Sequence, residues 1–232
     1  MVSSPAIELS ALRFGWNPSE ALLDIDAFRV ARGERVFLQG PSGSGKSTLL
    51  GLLGGVLSPQ RGSVRVLDTD LGSLGAAQRD RFRADHIGIV FQQFNLLPFL
   101  NARDNITLAC RFSARRAARV AAPADEARRL MDALGLDAAR IAAQPAHTLS
   151  VGQQQRVAAA RALIGAPEVI IADEPTSALD ADTRSAFLRL LFAECERAGS
   201  TLLFVSHDAS LAAQFTRAVR LSALQRAEPA TV

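Results

Sequence analysis

Two glycines five residues apart, Gly40 and Gly45, followed at once by Lys46 and Ser47, restrict this chain more than any other feature. The full run Gly40-Pro41-Ser42-Gly43-Ser44-Gly45-Lys46-Ser47-Thr48 follows an apolar segment, Val36 to Leu38, and precedes a helix-like one, Thr48 to Leu57. A strand, a glycine-rich curl and a helix N-terminus in that order form a cradle for polyphosphate. The glycines let the backbone turn its N–H groups inward, and the helix adds its positive end. Lys46 is then expected to reach the β- and γ-phosphates of a nucleotide, with the Ser47 hydroxyl on Mg²⁺. Lys46 is the only lysine among 26 basic residues, the others being arginine, so a compact ammonium stands here in a chain that elsewhere uses the planar guanidinium.

At 232 residues, 48% hydrophobic and 21% charged, the chain suits one α/β domain with a decorating subdomain. A net charge of +3 does not by itself indicate nucleic acid. Cys110 and Cys195 form no CxxC pair, so neither a metal nor a disulfide framework is expected, and a reducing compartment is. No apolar stretch reaches 18 residues without a charge, and Met1 to Ile7 lack the pattern of a secretion signal, so any membrane part is expected from a partner.

Residues 6–14 and 25–30 read as strands with a turn at Asn17-Pro18, and Arg32-Gly33-Glu34 turns into the strand before Gly40. Trp16 or Phe14, near the end of the first strand, offers an aromatic face for an adenine ring. Ser58 to Gly62 reads as a turn before a strand, 63–67, and residues 76–86 as a charged, exposed helix. A buried strand, 87–91, ends in Gln92-Gln93, and 94–112 reads as an unusually apolar connection. The arginine cluster 111–119 suggests a solvated helix face. Helices are expected at 124–134, from Ser150 to about Leu163, and from Asp182 or Thr183 to Gly199 with Phe187, Leu190 and Leu191 inward. Buried strands are expected at 169–172 and 201–205, and a frayed tail at 226–232. Strands alternating with helices, with polar residues at strand ends, indicate a parallel sheet binding its ligand along that edge.

Three further groups carry chemistry. Asp173 and Glu174 close the buried strand 169–172, Asp173 to help hold Mg²⁺ and Glu174 to orient or deprotonate water. Ser150 with Gln153 forms a capping box at a helix start, a positive end suited to a γ-phosphate. His207, after the strand 201–205, can reach a γ-phosphate.

In this order, over essentially the whole chain, these segments resemble the nucleotide-binding subunit of ABC transporters. Gly40 to Thr48 matches its Walker A loop, Gln92 its Q-loop glutamine, Leu149-Ser150-Val151-Gly152-Gln153 its LSGGQ signature, Asp173 and Glu174 its Walker B, Ser177-Ala178-Leu179-Asp180 its D-loop and His207 its switch histidine. The resemblance implies a P-loop NTPase with a RecA-like parallel-sheet core, an N-terminal antiparallel β subdomain and an α-helical signature subdomain. The core and β subdomain would take about 1–92 and 166–232, and the helical subdomain 93–165. It implies ATP and Mg²⁺ as ligands, the metal held by Ser47, Gln92 and Asp173. It also implies a homodimer sandwiching two ATP molecules, each between Lys46 of one copy and Ser150 and Gly152 of the other, with Asp180 nearby. A membrane permease would contact about 93–112 (otherwise subdomain core), placing the chain in the cytoplasm on the inner face of the membrane, with no nucleic acid involved. Val151 replaces the first glycine of the signature, and a β-branched residue there implies negative φ. RDRFRADHIGIVFQQFNLLPFLNARDNI and LSVGQQQRVAAARAL resemble the lipoprotein-release and macrolide-export branch. A soluble ABC ATPase acting on nucleic acid or another non-transport partner would be expected to carry two cassettes or long insertions. A small-molecule kinase would leave the signature and His207 without a role.

Overall fold

The computed structural model describes residues 4–17, 20–177 and 179–226. Along them run strands β1 (Ile7–Phe14), β2 (Leu23–Val30), β3 (Arg35–Gln39), β4 (Arg61–Val66), β5 (Thr69–Asp70), β6 (Ile87–Val90), β7 (Val169–Asp173), β8 (Thr201–Ser206) and β9 (Arg217–Arg220). The helices are α1 (Lys46–Leu53), α2 (Ala76–His86), α3 (Ala102–Phe112), α4 (Ala114–Ala118), α5 (Pro123–Ala133), α6 (Ala138–Ile141), α7 (Val151–Leu163), α8 (Ala181–Ala198) and α9 (Leu221–Leu224). The chain falls into two compact units, one of residues up to 80 with those from 203 onward, the other of residues 81–202.

In the first unit an antiparallel sheet is ordered β2-β1-β4-β5. Its period-two burial puts Ile7, Leu9, Leu12 and Phe14 inward, opposite Val30, Phe28, Ile25 and Leu23 of β2. The register of β1 with β4 shifts between Ser10 and Arg13, where Ala11 takes φ 47. A Cβ on Gly62 would stand 2.2 Å from the Ala11 oxygen, and Gly62 itself has φ 75. Residues 61 and 62 therefore belong to β4, and the expected turn is confined to 58–60, because the bulge needs glycine inside the ladder. The same unit sets β3 between β8 and β9, parallel to β9. Phe37 packs against Phe204 and Phe215 at centroid distances of 6.2 and 5.3 Å. β9 is an edge strand of sequence RAVR with its arginines exposed, a short charged strand that resists pairing with other chains. With two arginines in four residues it forms no apolar run. α1 stops at Leu53, capped by Gly54, four residues short of the expected Leu57. Arg226 pairs with Asp24 and Asp26; the rest of the tail, and Pro18 of the expected turn, lie outside the described residues.

The second unit pairs β6 with β7 in parallel, Ile87 opposite Val169. A Cβ on Gly88 would meet the Ala162 oxygen at 2.2 Å, so glycine lets α7 lie close against β6. Residues 94–112 are not all connection: α3 starts at the N-cap Asn101, whose side chain accepts from the Asp104 N–H. Buried Asn105 holds the remaining loop, donating to the carbonyls of Leu97, Leu100 and Asn101 and accepting from the Leu97 N–H. Ala102, Ile106 and Cys110, four apart, form the buried stripe of α3. α8 runs from its N-cap Asp180 to Gly199 at φ 65, with Phe187, Leu188 and Leu191 buried; Leu190 lies only partly inside.

The arginine cluster 111–119 is not simply a solvated face. Arg116 is 4% exposed and donates to the carbonyls of Arg161, Ala162 and Ile164 at 3.4, 2.5 and 2.8 Å. These are acceptors at the C-terminal end of α7, so a guanidinium caps that helix from another. Burial lowers the Arg116 pKa to about 10, still cationic at neutral pH.

Glu168 accepts from His86, Arg115 and Arg119 at 3.0, 2.6 and 2.6 Å. Burial raises its pKa, but the three hydrogen bonds together outweigh burial and hold the carboxyl well below the usual carboxylate range. A folded pKa below the unfolded one contributes stability above the unfolded value of about 4.3, lost as pH falls through the folded value. Glu168→Gln is therefore expected to lower stability at pH 7 and to flatten the loss between about pH 5 and 2, as read from urea midpoints across pH. Parallel acid limbs in variant and parent would contradict this.

Candidate nucleotide site

The glycine loop lies in the first unit. After β3 the chain enters Gly40, where a Cβ would lie 2.7 Å from Ser44 Oγ, and passes Gly43 and Gly45 at φ 79 and 94. A side chain at Gly45 would also meet Leu23 Cδ2 at 2.9 Å. Gly45 is the N-cap of α1 and brings no side-chain cap to that helix end. Lys46 is buried and donates from Nζ to the carbonyls of Gly40 and Pro41 at 2.7 and 2.9 Å. Ser44 Oγ is buried without a hydrogen-bond partner. A buried orphan hydroxyl, left-handed glycines and an enclosed ammonium all fit a polyphosphate. Ser42 and Ser47 are exposed and Thr48 is buried.

His207, exposed just beyond β8, lines a pocket of about 270 Å³ with Gln39, Gly40, Pro41, Arg220 and Ser222. The fold thus brings the histidine to the entry of the loop. Arg220 arrives with β9 and carried no sequence signal. Trp16 is 67% exposed and meets Phe14 edge-on at 5.3 Å and 88°. Phe14 itself is buried, so Trp16 presents the ring and Phe14 steadies it. Gln60 braces this stretch, accepting from the Gly15 N–H at 3.0 Å and donating to the Gly15 oxygen at 2.8 Å.

The carboxylates and the capped helix lie in the second unit. Asp173 ends β7 half-buried; Glu174 follows, 7% exposed, with φ 45. A glutamate in the left-handed region is strained by about 1–2 kcal/mol and persists only where its surroundings fix it. Gln155 of α7 donates to the next carbonyl, Pro175 O, at 2.5 Å, and so fixes the turn from below. Asp180 accepts from the Thr183 N–H at 2.9 Å, which lowers its pKa. Ser177 is exposed, and Ala178 lies outside the described residues.

At the start of α7 both halves of the capping box are made, Gln153 N–H to Ser150 Oγ at 3.3 Å and Ser150 N–H to Gln153 Oε1 at 2.9 Å. Val151 is helical and absent from the residues with positive φ, as its branching requires. Among the described residues a Cβ on Gly152 would meet only Leu179 Cδ2, at 3.9 Å, so none of them crowds that position. Gln92 is exposed in a turn closed by the Phe94 N–H to the Phe91 oxygen at 3.0 Å.

Comparison with known proteins agrees with these motifs. The family model for ABC transporters matches residues 23–177. The uncharacterized ABC transporter ATP-binding protein YbbA of Escherichia coli K12 is 43% identical over 192 residues, 83% of this chain and 82% of its own. The lipoprotein-releasing system ATP-binding protein LolD of Syntrophotalea carbinolica is 42% identical over 84% of this chain and 83% of its own. The macrolide export ATP-binding/permease protein MacB 1 of Aeromonas hydrophila is 42% identical over 94% of this chain, which spans 33% of that longer protein. The ATP-binding cassette MJ0796, solved as a dimer in a post-hydrolysis state bound to ADP and Pi, superposes with a TM-score of 0.82 at 34% identity, covering 94% of each chain. The chain belongs to the ABC transporter family, and it is one of that family's ATP-hydrolysing cassettes.

Proposed function

We propose that two copies of this chain close around two ATP molecules, and that this closure drives a conformational change in a membrane permease. The bare Gly152 beside a fully capped helix end carries the reading, because a surface that no described residue of its own chain crowds suits a facing copy's nucleotide. Each ATP would lie between Lys46 of one copy and Ser150 and Gly152 of the other, with Gln153 and Asp180 at the same border. Gly40 to Thr48 would wrap the phosphates, and Lys46 would exchange its two carbonyl acceptors for phosphate oxygens. Trp16 would stack on adenine through its exposed ring.

Ser47, Gln92 and Asp173 each offer an oxygen, the ligand type that Mg²⁺ takes, and each would serve as a ligand; the ion would supply charge neutralisation on the β- and γ-phosphates. Glu174 would accept a proton from the attacking water, and His207 would hold the γ-phosphate.

Relatives named for macrolide export and lipoprotein release support a permease partner. Within about 93–112, Phe99 and Phe112 are 74% and 73% exposed, an apolar pair suited to that contact. With such a permease the chain would sit peripherally on the inner face of the membrane; among the described residues no helix is long and apolar enough to cross one.

Gly152→Ala tests the reading. Alanine in a helix is favoured over glycine by about 1 kcal/mol, so the variant is expected to be at least as stable as the parent. Its ATP turnover is expected to fall by about tenfold or more, because the added methyl intrudes on the bound nucleotide. Undiminished turnover would contradict the assignment of this helix end to ATP.

A further inference from the structure

We propose that Arg161 is a positioning residue for ATP hydrolysis: through it the helix that opens at Ser150 fixes the turn that carries Gln92. Its two terminal nitrogens donate to the adjacent carbonyls of Asn95 and Phe94, at 2.7 and 2.6 Å. Both acceptor residues are left-handed, Phe94 at φ 59 and Asn95 at φ 49. Two successive side-chain-bearing residues hold that conformation only when something external fixes them. The turn is otherwise closed by the Phe94 N–H to Phe91 O and the Asn95 N–H to Gln93 O, at 3.0 and 2.6 Å, with Gln92 and Gln93 exposed at its tip.

Arg161 is well suited to hold it. A planar guanidinium spans neighbouring carbonyls as a fork, which an ammonium does not. Among the described residues no carboxylate pairs with it, and its hydrogen bonds all go to these two oxygens. Burial alone lowers its pKa, which marks a charge taken out of water for that purpose. The helix behind it is stiff. Its N-terminus is locked by the capping box, its C-terminus by Arg116, and Gln155 ties its middle to Pro175, next to Glu174. Eleven residues of rise separate Ser150 from Arg161, about 16 Å. Movement of the helix at its nucleotide-facing end is thereby passed to the turn of Gln92.

The inference rests on the reading of Gln92 given above, and the test separates the two. In the full chain, Arg161→Lys keeps the charge and removes the fork. Amide hydrogen exchange over 93–98 is expected to quicken by about tenfold or more, while α7 stays protected. With MgATP, kcat is expected to fall about tenfold with KM little changed. Added to Gln92→Ala, Arg161→Lys is expected to cause no further loss, because both act on one group. Asn95→Gly, which accepts positive φ without a clamp, is expected to restore part of the kcat of Arg161→Lys. Unchanged exchange over 93–98, unchanged kcat, or independent losses in the double variant would each overturn the proposal. Full activity of Gln92→Ala would instead remove the role of Gln92, leaving the exchange measurement to judge whether Arg161 holds the turn.

Discussion

Glu174→Gln is expected to lower ATP turnover by about 10²- to 10⁴-fold, the range for loss of a positioned general base, with ATP affinity nearly unchanged. Glutamine keeps the shape of the side chain and its burial, so the turn after β7 should survive, and only the capacity to accept a proton is lost. The backbone strengthens the case. Glu174 holds φ 45 while 7% exposed, and its turn is tied to Gln155. Glycine would relieve the strain at this position, and a carboxylate is found there instead. Single-turnover hydrolysis with nucleotide binding measured in parallel separates the effects. Turnover at the parent rate would remove Glu174 from the reaction, and lost ATP binding would make it a ligand rather than a base.

The second large effect is on stability. Arg116→Met is expected to destabilise the chain by about 3–5 kcal/mol, since each buried carbonyl left without its donor costs about 1–3 kcal/mol. For a chain of this size the corresponding drop in Tm is about 10 °C. The three carbonyls lie at the end of α7, which begins with the capping box, so the loss should also lower ATP turnover under conditions where the chain remains folded. Arg116→Lys should recover only part of the stability, because one ammonium does not reach three acceptors with the geometry of a guanidinium. A loss below about 1 kcal/mol would show that water replaces the donor.

The expected elements that the structure reproduces are those whose determinants lie within a few residues of one another. The capping box of Ser150 and Gln153, the αL stop at Gly199 and the apolar runs of β7 and β8 are local statements, and each appears in the fold. The glycine loop belongs with them: the freedom of Gly43 and Gly45 shows in their φ values. Determinants that act across long separations were hidden. Arg116 reads as one arginine among many until Ile164, 48 residues on, supplies its acceptor. Gln155 and Arg161 occupy ordinary helical positions, and their partners Pro175, Phe94 and Asn95 are 20, 67 and 66 residues away. β9 escaped notice because β3 supplies its ladder, and α3 because an apolar stretch with a proline before it reads as connection.

The central claim is that one chain holds half of a working site and a second copy completes it. Light scattering of the Glu174→Gln chain, saturated with ATP and Mg²⁺ in solution, addresses this directly. The expected result is the mass of two chains with ATP and of one chain without it, with Ser150→Arg abolishing the ATP-dependent doubling. A single-chain mass with ATP demonstrably bound would contradict the claim.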